Sequence, residues 1–393
     1  MRGVGIAVVG GGPAGAVAAA RLAERGASVT LFHREARGGR GKPCGGGVLP
    51  AAFPRSEALS APRTPYVDVR RLRLRSPSGR TVAIEAGVLF RVFRRSDLDE
   101  SLRSEAASRG ASLDLSAVTR VARDGARFRI ECGGIAARFD RVVGADGVRS
   151  LVRASLARPM EDDDLMRAIG YEVSGVAPPD GALVEFERGL RGYLWVFPRP
   201  AGASLGVCGD AAATPPGDLR RRLDRFVERE EGLSFPRGGE RSLVSWFIPA
   251  LSERALERPD VEGEGFALVG DAAGTADPIT AEGIRPAIAS AEALARSWDE
   301  GVPYEGALGR EVLPALRASA RLKRLFYAPC ALEATVALCA RSARLRSLLE
   351  DLVRGETGAE GVGSRIRRDL LRIAAEAATG GRTSSPEEER RSR

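Results

Sequence analysis

A glycine-rich turn between two buried apolar runs constrains this chain more than any other feature. Ile6 to Val9 is a short apolar run that reads as a buried strand. Gly10, Gly12 and Gly15 follow in the spacing G-x-G-x-x-G, and an alanine-rich helical pattern then continues to Gly26. Val29 to Phe32 is a second buried run. Strand, turn, helix and strand together make the βαβ unit that holds a dinucleotide. Each glycine has its own physical task. Gly10 permits the tight turn, Gly12 lets the backbone approach a pyrophosphate, and Gly15 lets helix and strand pack closely. The helix N-terminus offers N–H groups and partial positive charge to the phosphates.

The 393 residues suffice for about two or three domains with a sizeable core. A content of 44% hydrophobic and 28% charged residues is that of a soluble globular protein. No apolar run reaches the ~18 residues of a membrane helix. The first apolar segment runs straight into the glycine turn instead of a cleavage site, so a cytoplasmic protein is expected. The net charge of +8 invites a nucleic-acid reading, but only Lys42 and Lys323 among the 60 basic residues are lysines, and the arginines are scattered. That pattern reads as compositional bias, and no nucleic acid is expected as a partner. Peripheral attraction to an anionic membrane surface stays open.

Cys44, Cys132, Cys208, Cys330 and Cys339 are odd in number and contain no CxxC, so neither a disulfide framework nor a zinc site follows. His33 is the only histidine. A Ser-His-Asp triad or a multi-histidine metal centre therefore has no material to be built from, and no metal is expected. The hard chemistry falls to a bound cofactor.

Beyond the second strand, the place where a dinucleotide site puts an acidic residue for the ribose falls on His33, followed by Arg34. Imidazole can hydrogen-bond a hydroxyl, and Glu35 is a second candidate for that role. Arg37 to Pro50 is too glycine-rich for helix or strand and suits backbone packed against a flat ligand, or else a flexible linker. Val67 to Arg75 and Thr81 to Glu85 read as strands joined by a turn at Ser76 to Gly79. Ser96 is the expected N-cap of a helix running to Arg109 with Gly110 as its stop. Ser112 to Val143 carries strand candidates broken at Asp124-Gly125 and Gly133-Gly134, as in an antiparallel meander. Val142 to Ser150 is a buried strand, a Gly-Ala-Asp-Gly turn and a helix start. As a strand end it reads equally as a ligand contact or an ordinary turn.

Arg167 to Ser174, Leu183 to Glu187, Gly192 to Phe197, Ser204 to Cys208 and Arg241 to Ile248 outline a second, mostly antiparallel sheet, with a helix at Asp218 to Glu231. Tyr193, Trp195 and Phe197 alternate and so share one strand face. In a chain with 5% aromatic residues that face is either a pocket wall or a covered core face. Phe266 to Val269 is a buried strand leading into Gly-Asp-Ala-Ala-Gly, with Asp271 at its carboxyl end and a long helix to Trp298 beyond. Tyr304 to Ala378 reads as helical.

The segments GGGPAG, GADGVRS and GDAAGTADPITAEGI jointly resemble the FAD-binding segments of the p-hydroxybenzoate-hydroxylase-like flavoproteins. KPCGGGV at Lys42 to Val48 and YLWVFP at Tyr193 to Pro198 are similar to motifs of the geranylgeranyl reductase family within them. The resemblance covers about Val4 to Trp298. It implies that Gly10, Gly12, Pro13, Ala14 and Gly15 hold the FAD pyrophosphate, with His33 and Arg34 on the ribose side. His33 stands where the family has an acidic residue. Arg95, in RSDLDESL, contacts FAD, although Leu98 replaces a phenylalanine of that motif. Val118 meets the adenine side through its backbone. Cys44, Gly45 and Gly47 lie near the flavin ring. Asp271, Gly274, Pro278, Gly283 and Ile284 contact the ribityl chain and isoalloxazine. Tyr193, Trp195 and Phe197 flank the substrate.

The expected fold is α/β. A Rossmann-like FAD-binding domain spans residues 1–65, 94–165 and 255–300, and a substrate sheet spans 66–93 and 166–254. A helical region follows at 301–379, then a disordered tail at 380–393. The implied activity is FAD-dependent saturation of C=C bonds in a geranylgeranyl or other polyisoprenoid chain. NAD(P)H or ferredoxin is the electron donor, and Cys44 or water is the source of the proton. A monooxygenase or halogenase of the same superfamily is one alternative, although Tyr193 and Phe197 replace the outer residues of the halogenase W-x-W-x-I-P. A non-catalytic flavin-fold binding protein is another.

Overall fold

The computed structural model of the chain describes residues 1–34 and 44–355, with Ser364, Arg365, Arg368, Asp369, Arg372, Ile373 and Glu376. Glu35, Lys42 and the tail at 380–393 lie outside the described residues.

The N-terminal unit forms as its spacing dictates. β1 (Gly5–Val9) leads into α1 (Pro13–Glu24), and β2 (Ser28–Phe32) returns parallel to β1. α1 has no side-chain cap, but proline in its first turn has no N–H to leave unsatisfied. Ala16, Ala18 and Ala19 are fully buried, which lets α1 lie close to the sheet. The sheet has the order β16 (Glu262–Gly263), β17 (Phe266–Leu268), β10 (Arg141–Gly144), β1, β2, β6 (Ser112–Asp114). Only the β16 edge is antiparallel. Ile6, Ala7 and Val8 are all buried, without alternation, as a parallel sheet covered on both faces requires. One cover is α1 with α7 (Ile284–Glu300).

The meander expected over Ser112–Val143 occupies only the middle of that span. β7 (Val118–Asp124), β8 (Arg127–Cys132) and β9 (Ile135–Phe139) form it, while both flanks join the parallel sheet.

The second sheet has eight strands in the order β15 (Glu240–Pro249), β11 (Leu165–Ser174), β14 (Gly202–Asp210), β13 (Gly192–Arg199), β12 (Ala182–Glu185), β4 (Tyr66–Arg75), β5 (Thr81–Phe93), β3 (Gly47–Val48). Every pairing is antiparallel except β12 with β4. β5 runs well past the expected end at Glu85. Leu89, Phe90, Val92 and Phe93 are buried, and pairing with β4 resumes after a bulge between Val69 and Arg71. This extension also corrects the next helix. α3 (Arg95–Ser108) starts directly after β5, with Arg94 as its N-cap residue, and Ser96 sits in the first turn donating to Asp97 at 2.7 Å.

α5 (Pro216–Glu230) buries Leu219, Leu223 and Phe226 on the second sheet. α2 (Glu57–Ser60), α4 (Leu151–Leu156) and α6 (Glu253–Glu257) are short connectors. α8 (Tyr304–Glu311), α9 (Leu313–Phe326), α10 (Pro329–Arg341) and α11 (Ala343–Val353) form the C-terminal helices. α10 and α11 enclose Val82 of β5 with Val336, Cys339, Leu345 and Leu348.

An ion cluster ties α5 to the sheet. Arg75 donates to Glu185 at 2.7 Å and also binds Glu230, while Arg229 reaches Glu185 at 2.7 Å. Burial pushes the Glu230 carboxyl up, but Arg75, Ser234 and Arg229 outweigh it and hold the group at about 2. Its stabilisation is therefore present above the ordinary value of 4.5 and fades as pH falls toward 2. Arg75→Met leaves Arg229 as the one cation among the described residues still pairing buried Glu185 and Glu230 and should cost about 1–3 kcal/mol in denaturant titrations at neutral pH. It should also reduce the loss of stability between pH 4.5 and 2. A midpoint equal to wild type would remove the cluster from the stability of the sheet.

Candidate functional site

Three neighbouring parallel strands, β17, β10 and β1, end at one edge of the first sheet. Their continuations stay in register: Ala145 N–H donates to Val9 O at 2.8 Å, and Val269 N–H to Gly144 O at 2.9 Å. The carboxyl edge of such a sheet is where α/β folds bind ligands.

The fingerprint glycines differ in what surrounds them. A Cβ on Gly10, at φ +108°, would lie 2.3 Å from Ala145 O, and one on Gly15 would lie 1.8 Å from Gly10 O. Both are demanded by the fold itself. A Cβ on Gly12 would meet no protein atom within 4 Å. Open space in front of the helix N-terminus at Gly12 and Pro13 fits a pyrophosphate. Ala14 touches the third strand's turn, since a Cβ on Gly270 would lie 2.7 Å from its methyl. Half-buried His33 donates its backbone N–H to Asp114 O at 2.8 Å and packs beside Gly11. Arg103, which the sequence did not single out, donates to Gly11 O at 3.2 Å, and burial pushes its guanidinium below its ordinary value.

The 3₁₀ turn Gly270–Ala273 carries Asp271, whose Oδ1 lies 3.4 Å from where a Gly283 Cβ would stand. Gly274 takes the left-handed conformation that glycine allows, and Pro278 and Ile284 are buried. Asp277 fixes the loop between them, accepting from Ile279 N–H at 2.9 Å, Thr280 N–H at 2.8 Å and Ser319 Oγ at 2.6 Å. Around this loop the buried Thr275 Oγ1 has no hydrogen-bond partner among the described residues, and Glu282 Oε2 and Arg285 Nε meet only each other, as an ion pair at 3.5 Å. An unpartnered buried hydroxyl and a loosely paired buried carboxylate beside an open glycine cradle fit a large polar cofactor.

Cys44 is half-buried. Gly46 N–H donates to its Sγ at 3.3 Å, and Arg199 donates to its carbonyl. The side chain of buried Arg95 lies against Cys44 and pairs with Asp99 at 3.0 Å. Burial opposes the Arg95 charge, but Asp99 and Cys44 together raise it above its ordinary value. A Cβ on Gly45 would lie 2.8 Å from the Phe197 ring, and one on Gly47 would lie 3.4 Å from Phe90. Tyr193, Trp195 and Phe197 do share one face, with ring centroids 6.0 and 6.4 Å apart. Trp195 is buried over Gly206 and donates to Ser204 at 3.2 Å, while its two neighbours are half-buried. Tyr193 donates to Thr280 O at 2.5 Å, which joins the aromatic strand to the Asp277 loop. Burial pushes its phenol well up, and pushes the Cys208 thiol beside it up to about 12.

Fingerprint, Asp271 turn, cysteine loop and aromatic strand are thus linked through Gly270–Ala14, Thr280–Tyr193 and Phe197–Gly45. Exposed Arg34, and Val118, which packs on the first core, do not join this network among the described residues. Asp146 of the Gly-Ala-Asp-Gly turn accepts from Ser150, Leu151 N–H and Val152 N–H, so it serves its own helix start. Sequence reasoning missed two buried arginines. Arg153 clamps the third turn by donating to Ala272 O at 2.9 Å and Pro259 O at 3.0 Å, and Arg199 holds the cysteine loop.

Among the described residues no cluster of side chains could hold a metal ion, and no helix is long and apolar enough to cross a membrane. Residues 8–43 match the family model described as an NAD(P)-binding Rossmann-like domain. The digeranylgeranylglycerophospholipid reductase 2 of Methanothermobacter thermautotrophicus is 30% identical over 303 residues, 71% of this chain and 73% of that protein. The digeranylgeranylglycerophospholipid reductase 1 of Methanopyrus kandleri is 31% identical over 297 residues, 72% of this chain and 77% of that protein. The crystal structure of a geranylgeranyl bacteriochlorophyll reductase-like protein from Thermoplasma acidophilum superposes with a TM-score of 0.74 at 22% identity, covering 93% of this chain and 98% of the other. A flavin-dependent brominase shares the fold at a TM-score of 0.66 and 19% identity, covering 94% of this chain and 99% of the other.

Proposed function

Because the chain belongs to the geranylgeranyl reductase family of FAD-dependent oxidoreductases, we propose that it saturates C=C bonds of a geranylgeranyl or other polyisoprenoid chain. Each turnover adds a hydride to one alkene carbon and a proton to the other. FAD, when bound and reduced, supplies the hydride. The rest falls to the chain's own residues. Gly10, Gly12, Pro13, Ala14 and Gly15 bind the pyrophosphate, and His33, Arg34 and Val118 face the adenosine end. Arg95, Asp271, Gly274, Pro278, Gly283 and Ile284 hold the ribityl and ring end. Cys44 carries the proton at its Sγ, and Gly45 and Gly47 permit close approach of the loop. Tyr193, Trp195 and Phe197 orient the apolar chain and exclude water. The observation that carries this reading is the contact of Gly45 with Phe197, which gives the cysteine loop and the aromatic strand one common surface.

Expression beside a geranylgeranyl diphosphate pathway, followed by mass spectrometry of lipids and quinones, should show a gain of one H2 per reduced bond. Anaerobic turnover is expected. Oxygen consumption coupled to substrate would make the protein a monooxygenase instead, and a purified protein without flavin absorbance would make it a binding protein. The donor is a reduced nicotinamide or a ferredoxin, and comparing the rates at which each reduces the flavin chooses between them. Phe197→Ala should weaken long chains more than short ones, by roughly tenfold for about 1.5 kcal/mol of lost burial, and leave FAD bound. Trp195→Ala is a poorer probe, because emptying that buried site should also cost about 3–5 kcal/mol of stability.

A further inference from the structure

We propose that the last turns of α9 are the surface by which this protein docks on an anionic lipid bilayer, an inference that rests on the polyisoprenoid reading above. α9 carries no acidic residue, and of its four cations Arg317 turns inward to Leu256 O at 3.0 Å and Lys323 to Asp210 at 2.6 Å, while Arg321 and Arg324 are exposed. Its exposed side carries Leu322, 41% exposed, and Leu325, 65% exposed, three residues apart and therefore neighbours on one helix face. Arg321 flanks them and bonds Glu253, while exposed Arg324 forms no ion pair among the described residues. Exposed leucines beside the unpaired charge of Arg324 are unfavourable toward water and complementary to a surface of acyl chains under anionic head groups.

What lies behind this face favours a bilayer over a protein as its occupant. Phe326, next to Leu325, meets Phe186 at 5.7 Å and Tyr327 at 5.1 Å between ring centroids. The same apolar cluster includes Tyr193 and Ile279. Tyr327 donates to Ile279 O at 2.6 Å, and Tyr193 to Thr280 O at 2.5 Å. Packed apolar side chains therefore connect the α9 face, through Phe326 and the cluster that holds Tyr193, to Trp195 and Phe197. A bilayer seated on α9 would thus adjoin the apolar side of the proposed reaction site.

The test is sedimentation of the full-length protein with vesicles of phosphatidylglycerol and phosphatidylcholine, beside vesicles of phosphatidylcholine alone. Wild type should bind the anionic vesicles, and more weakly at high salt. The double variant Leu322→Asp/Leu325→Asp should lose about tenfold or more in vesicle affinity while keeping its bound FAD, and Arg324→Glu should lower both affinity and salt dependence. Leu233→Asp, at an exposed leucine outside α9, should sediment as wild type does. Failure of wild type to bind anionic vesicles, full binding by the double variant, or an equal loss in Leu233→Asp would overturn the proposal. So would a wild-type dimer that the double variant dissociates without any vesicle binding. Reduction of detergent-dispersed polyisoprenoid separates this inference from the one beneath it. The double variant should retain that activity. No turnover by wild type with vesicle binding intact would sink the reductase reading and leave the docking surface standing.

Discussion

Gly12→Val should fold as wild type does and elute colourless, whereas Gly15→Val should fail to fold. The two glycines belong to one fingerprint, yet the structure gives them opposite surroundings. A Cβ on Gly12 would meet no atom within 4 Å beyond its chain neighbours, and its φ of −78° suits any residue, so the apoprotein should accept a side chain there. The same space is where a pyrophosphate would approach the N-terminus of α1. A Cβ on Gly15 would instead lie 1.8 Å from Gly10 O, a backbone atom that cannot swing away. Valine at position 12 should therefore reduce FAD affinity at least a hundredfold, roughly 2.8 kcal/mol, with the thermal midpoint of the apoprotein unchanged. Flavin absorbance of the purified variant, read beside its circular dichroism melt, checks both halves. Full occupancy in Gly12→Val would move the pyrophosphate away from this turn.

The contrast between those two glycines marks what the sequence could and could not disclose. The βαβ unit was legible because its signal is local: strand, turn and helix are contiguous, and each glycine sits at a fixed offset. The alternation of Tyr193, Trp195 and Phe197 was legible for the same reason, since period two needs only one strand. Other features depended on partners far away in the chain. β5 continues to Phe93 because β4 lies beside it again after the bulge, and that extension is what moves the start of α3 to Arg95. Arg153 and Arg199 were lost among 60 basic residues. Their meaning lies in carbonyls they reach across the fold, at Ala272, Pro259 and Cys44, and no spacing announces such contacts. Asp146 shows the opposite case. Its turn suited a ligand contact as well as an ordinary turn, and the bonds to Ser150, Leu151 and Val152 assign its carboxylate to the helix start.

Cys44→Ala should leave reduction of the flavin intact and slow reduction of the alkene by about a hundredfold or more, the usual size of a lost proton donor. The cysteine is held from three sides. Gly46 N–H donates to its sulfur at 3.3 Å, Arg199 fixes its carbonyl, and the Arg95 guanidinium, paired with Asp99 at 3.0 Å, lies against its side chain. Such a fixed thiol, on a loop that touches the aromatic strand at Phe197, is positioned to deliver a proton without first searching for a geometry. Alanine removes that proton and little volume, so the loop and its glycines should stay in place. Serine keeps the size and a weaker acid, and its loss should be smaller than that of alanine. Arg95→Met, compared per bound flavin because the arginine also holds the cofactor in the proposed site, tests whether it acts through the cysteine. If it does, the variant should slow alkene reduction in the wild-type background and add little to Cys44→Ala. The decisive measurement is anaerobic single-turnover oxidation of the reduced flavin by substrate. A rate in Cys44→Ala equal to wild type would assign the proton to water and leave Cys44 a packing residue.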